Sequence, residues 1–110
     1  MRSIRQFLVA VLLTGVACNE STSSGGGLTV SVQNNFFNPA MLTISTGQTV
    51  TWAWNSGGTQ HNVTFLVPDV APPNCPTQGS GSCSRTFATA GPFDYQCTIH
   101  FGMSGRVVVQ

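Results

Sequence analysis

An all-β domain, a sandwich or barrel of short antiparallel strands, is predicted over residues 28–110. Apolar residues recur there at every second position, in short runs rich in β-branched and aromatic side chains, which is the period of half-buried strands. Turn-forming residues punctuate these runs at close intervals, as they do in antiparallel sandwiches and barrels. Beyond residue 28 no run places apolar residues at helical spacing over a useful length.

Leu28, Val30 and Val32 alternate with Thr29 and Ser31 in the first expected strand. Val50, Trp52 and Trp54 alternate with Thr51 and Ala53, Val63 and Phe65 with Asn62 and Thr64, and Phe93, Tyr95 and Cys97 with Asp94 and Gln96. Arg106-Val107-Val108-Val109 forms a last, β-branched strand. The intervening turns are Asn34-Asn35, Asn38-Pro39, Thr46-Gly47, Ser56-Gly57-Gly58, Pro72-Pro73 and Ala90-Gly91-Pro92. Trp52, Phe65, Phe87, Phe93 and Tyr95 are expected in the core, together with Met41; Trp54 and Phe101 fit either core or surface.

Residues 68–84 break the alternation. They hold four prolines and few apolar residues, and they read as an excursion loop between two strands. Cys75 and Cys83 lie close together in it and are expected to form a disulfide in an oxidising compartment. So short a closed loop contributes roughly 2–3 kcal/mol by chain entropy. Its expected role is to stiffen a segment that has no core of its own.

Residues 1–18 read as an export signal: Arg2 and Arg5, an apolar run over 7–13, then small residues ending at Cys18. The run is too short to span a bilayer as a mature helix. The stretch 13–18 resembles a bacterial lipoprotein signal, with Cys18 as the lipidated residue and Gly15 where such signals usually carry Leu; an ordinary signal cut near Ala17 or a little later is the alternative. Residues 19–27 form a Ser/Gly-rich tether whose r.m.s. reach is roughly 15–20 Å. Export to the periplasm or cell envelope follows on either reading, with membrane attachment through a lipid on Cys18 on the first of them.

Only 6% of residues are charged, and none is lysine. No basic patch is present to bind nucleic acid, and no acidic run to steer a charged partner. A folded part of about 80 residues has a thin margin of buried surface and benefits from a disulfide or a metal. Nothing in the pattern calls for an obligate assembly, so a monomer is expected.

The chemistry concentrates in Tyr95-Gln96-Cys97-Thr98-Ile99-His100-Phe101-Gly102-Met103. A thiolate, an imidazole and a thioether stand at Cys-x2-His-x2-Met spacing between two strands, so a tight loop can aim all three at one point. His61 is the only other histidine and opens a strand. The cysteine count supports a metal: with Cys18 lipidated or removed and Cys75 bridged to Cys83, Cys97 is left over, and an unpaired cysteine in an exported chain calls for an explanation. Taken singly, His61 could be a surface histidine, Met103 a core residue and Cys97 half of a disulfide. Together they make a His₂Cys set with a weak axial Met, the signature of type-1 (blue) copper. Zinc seldom takes Met. A binuclear copper site would want a second cysteine in the loop, and a multicopper oxidase would want more domains and histidines.

These residues resemble the plastocyanin/azurin (cupredoxin) family, on the side of its amicyanin-like and halocyanin-like members with a short ligand loop. The matching residues are Phe36-Phe37-Asn38-Pro39, Val50-Thr51-Trp52, His61-Asn62-Val63, the stretch from Tyr95 to Met103, and Gly105-Arg106-Val107-Val108-Val109. The resemblance implies a Greek-key β-sandwich with one copper ion near one end, His61 as the more buried ligand and His100 near the surface. It also implies that Asn62 fixes the ligand loop by hydrogen bonding near the Cys97 sulfur. The expected function is electron transfer by Cu(I)/Cu(II) cycling with transient redox partner proteins, without catalysis by the chain itself; storage or delivery of copper in the cell envelope is the alternative. The chain departs from the pattern where Ile99 and Phe101 flank His100, in the 68–84 segment, and at Trp54.

Overall fold

The structure is a computed structural model and describes residues 28–110. The export signal over 1–18, Cys18 and the tether over 19–27 lie outside the described residues. Nine strands follow in order: β1 (Thr29–Gln33), β2 (Phe36–Asn38), β3 (Met41–Ile44), β4 (Thr49–Trp54), β5 (His61–Phe65), β6 (Cys75–Gln78), β7 (Ser82–Thr86), β8 (Gly91–Gln96) and β9 (Ser104–Val109). They form a four-stranded sheet, β2-β1-β4-β7, and a five-stranded sheet, β3-β9-β8-β5-β6. The chain passes from one sheet to the other at β2–β3, β3–β4, β4–β5, β6–β7 and β7–β8, so neither sheet is built from one continuous stretch.

Alternation sets the core. Val30, Val32, Val50, Trp52 and Trp54 bury one face of the first sheet, and Val63, Phe65, Phe93, Tyr95, Val107 and Val109 bury the facing side of the second. Trp52 stands between them, edge-on to Phe65 at 6.0 Å and to Tyr95 at 5.4 Å between ring centroids. Edge-to-face pairs of this kind suit the ring quadrupoles and add about 0.5–1.5 kcal/mol each beyond the area they bury.

The sandwich is all-β as expected, but its sheets are mixed. β1 pairs parallel with β4 (Val30 opposite Trp52), and β3 pairs parallel with β9 (Leu42 opposite Val107). Alternation reports which face of a strand is buried and carries nothing about its neighbour's direction, which is why the all-antiparallel expectation was too narrow. The 68–84 segment is also more than an excursion: it contains β6 and the start of β7, each at one sheet's edge. Cys75 and Cys83 form the expected disulfide, with Cα atoms 6.0 Å apart. Because Cys75 lies on β6 and Cys83 on β7, the bridge joins the two sheets rather than stiffening a loop. Met41 is corrected from core to surface, 61% exposed, because it shares the outward side of edge strand β3 with Thr43 while Ile44 points inward. Trp54 belongs to the core and Phe101 is fully exposed.

Candidate metal centre

The loop from Cys97 to Met103 joins β8 to β9, which pair from Gly91 opposite Val109 to Gln96 opposite Ser104. Two backbone hydrogen bonds close it: Cys97 N donates to Met103 O at 2.9 Å, and Met103 N donates to His100 O at 3.3 Å. Gly102, at φ 83°, takes the left-handed turn that brings the chain back to β9. Cys97 is 3% and Met103 1% exposed, whereas His100 is half-buried.

His61 comes from the other side, at the start of β5, and is fully buried. The β5–β6 register shifts between His61 and Val63, a local irregularity of the bulge type that re-aims side chains. The strand start is held from behind by Trp54, whose indole Nε1 donates to His61 O at 3.0 Å. The imidazole then lies 4.5 Å from that of His100, centroid to centroid.

One donor atom each from His61, Cys97 and His100 falls within 4.8 Å of the others. Cys97 Sγ is 3.9 Å from His61 Nδ1 and 3.6 Å from His100 Nδ1. Bonds of about 2.0 Å to nitrogen and about 2.3 Å to thiolate, with angles of roughly 109–120° at a first-row ion, separate N from S by about 3.5–3.7 Å. The three donors therefore fit around one ion with adjustments of a few tenths of an ångström. Burial, and secondarily the neighbouring His100 charge, hold the His61 pKa below its ordinary value, which favours the neutral imidazole that a metal requires.

Hydrogen bonds surround this trio. The Asn62 backbone N–H donates toward Cys97 Sγ at 3.5 Å. The Asn62 side chain accepts from Thr98 N at 3.1 Å and donates to Thr98 Oγ1 at 2.9 Å, joining β5 to the residue that follows the thiolate. Asn34 Oδ1 lies 3.5 Å from His61 Nε2, on the ring atom turned away from the cysteine. A partner at the far nitrogen fixes ring orientation in metal-binding histidines. Asn34 was legible only as part of a turn, and nothing in the sequence marks it as the neighbour of His61. Thr98, next to Cys97, could have been suspected from adjacency alone.

The family model described as copper binding proteins, plastocyanin/azurin family, matches residues 26–110. The chain belongs to that family. Amicyanin from Paracoccus denitrificans is 33% identical over 88 residues, covering 77% of this chain and 66% of that protein. The chain thus spans just under two thirds of that amicyanin's length. Plastocyanin from Scenedesmus fuscus is 38% identical over 88 residues, covering 67% of this chain and 86% of that protein. Among solved structures, a reduced amicyanin variant matches with a TM-score of 0.68 at 31% identity, over 79% of this chain and 85% of that one. A purple cupredoxin from Nitrosopumilus maritimus matches at 23% identity with a TM-score of 0.66, over 74% of this chain and 98% of that one, a likeness of fold alone. Structures of amicyanin variants include a reduced Cu(I) form and oxidised forms. As a cupredoxin, the chain binds one type-1 copper ion, for which His61, Cys97 and His100 cluster as donors.

Proposed function

We propose that this cupredoxin is an electron carrier, cycling one copper ion between Cu(I) and Cu(II), with His61, Cys97 and His100 as equatorial ligands and Met103 as the weak axial one. The observation that carries the proposal is the convergence of a thiolate and two imidazoles from two separate chain segments at one point, with His61 and Cys97 buried and His100 half-buried. The bound metal supplies the one-electron chemistry. The chain's part is to hold its donors in place through both oxidation states: the sheets fix His61, the two loop hydrogen bonds fix Cys97 and His100, and burial of His61, Cys97 and Met103 keeps water away.

His100 is the half-buried member of the set, and its ring offers the short route to the surface. Ile99 and Phe101 stand exposed on either side of it. With so few charges on the chain, apolar contact there suits the small, transient interfaces of electron-transfer proteins. The partners would be redox proteins, met by an exported monomer tethered through a lipid on Cys18. Storage or delivery of copper gains no support from the comparisons. Voltammetry of the copper-loaded protein tests the proposal: a reversible one-electron wave with fast self-exchange is expected, and irreversible loss of copper on reduction would contradict it.

A further inference from the structure

Asn62 uses its whole side chain. Its Oδ1 accepts from Thr98 N at 3.1 Å and from Thr64 Oγ1 at 2.9 Å. Its Nδ2 donates to Thr98 Oγ1 at 2.9 Å and to Thr77 Oγ1 at 3.1 Å. Two donors and two acceptors satisfy a carboxamide completely, and although Thr77 and Thr98 are exposed, Asn62 itself is buried, so the four bonds together hold one rotamer. Three of the four bonds come from β5 itself or from the ligand loop. The fourth, from Thr77, comes from β6 in the segment that reads as a loop in the sequence.

β6 is held against β5 at both ends, through Cys75 opposite Val63 and Gln78 opposite His61. The Cys75–Cys83 bridge fastens it to β7, and Cys83 pairs with Trp52 in the heart of the other sheet. Thr77 thus sits on a strand clamped from both sheets, opposite the register shift that exposes Asn62 to it.

We propose that Thr77 is a positioning residue for the metal centre: clamped by the Cys75–Cys83 bridge, it locks the Asn62 rotamer and thereby aims the Asn62 backbone N–H at Cys97 Sγ. This rests on the copper reading above. An N–H directed at a thiolate draws charge from the sulfur and favours the reduced, less positive metal. Without the Thr77 hydroxyl, one Asn62 N–H loses its protein partner and is left to mobile solvent, the carboxamide turns, and the contact to sulfur lengthens.

The test compares wild type, Thr77→Val and Thr77→Ser in two measurements. In the copper-loaded protein, Thr77→Val is expected to shift the reduction equilibrium toward the oxidised form by about three- to tenfold, or about 30–60 mV for a one-electron couple, and Thr77→Ser to restore it. In the metal-free protein, alkylation of Cys97 is expected to quicken at least about threefold in Thr77→Val and to stay native in Thr77→Ser, since a loosened Asn62 opens the buried thiol. Removing the bridge with Cys75→Ala/Cys83→Ala is expected to shrink the effect of Thr77→Val by half or more, because the clamp is then gone. Equal potentials and equal alkylation rates in wild type and Thr77→Val would overturn the inference. So would a Thr77→Ser variant as altered as Thr77→Val, or an undiminished effect without the bridge. A wild-type protein with no thiolate-to-copper band would overturn the copper reading instead, and the metal-free alkylation rates would still decide the role of Thr77.

Discussion

Tyr95 sits at the centre of the sandwich, and its environment makes two consequences measurable. Its hydroxyl and the Trp52 indole N–H are both buried without a partner in hydrogen-bond geometry. Burial pushes the phenol pKa up to about 12, against a smaller lowering by the Trp52 N–H. The unfolded chain releases this proton near 10 and the folded chain only near 12. The stabilisation is therefore whole below about pH 10 and falls away between the two values, by about 3 kcal/mol in all. Urea unfolding of wild type should show that alkaline slope, and Tyr95→Phe should lack it. Tyr95 is the only tyrosine in the chain, so an ultraviolet titration reads its ionisation directly. The same hydroxyl explains Gly105: a Cβ there would drive into the Tyr95 ring and oxygen, both part of the rigid core. Gly105→Ala is expected to destabilise by about 1–3 kcal/mol, as overpacked cores do, which the denaturation midpoint would show.

The strands legible in the sequence are β1, β4, β5, β8 and β9, which carry inward Val, Trp, Phe or Tyr at alternate positions. β2, β3, β6 and β7 are edge strands, and edges can be short and polar because one side needs no partner. Ser82-Cys83-Ser84-Arg85-Thr86 has no apolar alternation to read; it is a strand because β4 lies beside it, with Thr51 Oγ1 and Ser84 Oγ 2.7 Å apart. The same limit hid the meaning of the disulfide, since two cysteines in an apparent loop do not show that they lie on edges of opposite sheets. Cys75 is fully buried. Cys75→Ala/Cys83→Ala should therefore lose about 2–3 kcal/mol of chain-entropy stabilisation with packing loss added, seen as a lower urea midpoint in the metal-free protein. An unchanged midpoint would mean that the two sheets hold together without the bridge.

Across the whole domain, the metal centre is legible where it is local and hidden where it is not. The spacing of Cys97, His100 and Met103 within one strand-to-strand loop is visible in the chain itself, and His61 follows because no other histidine exists. The neighbours that surround His61 and Asn62, namely Asn34, Trp54, Thr77 and Thr98, come from four separate places in the sequence, and only folding brings them together. The proposed function rests on that assembly, because a thiolate and two imidazoles would serve as a single redox centre only if the sandwich holds them at 3.6–3.9 Å through each change of charge. The visible absorption spectrum of the Cu(II)-loaded protein, measured beside Cys97→Ser, tests this most directly. An intense thiolate-to-copper band that bleaches reversibly with reductant and is lost in Cys97→Ser is the expected result. A protein without that band, or one whose colour survives the loss of Cys97, would contradict the assignment of the centre.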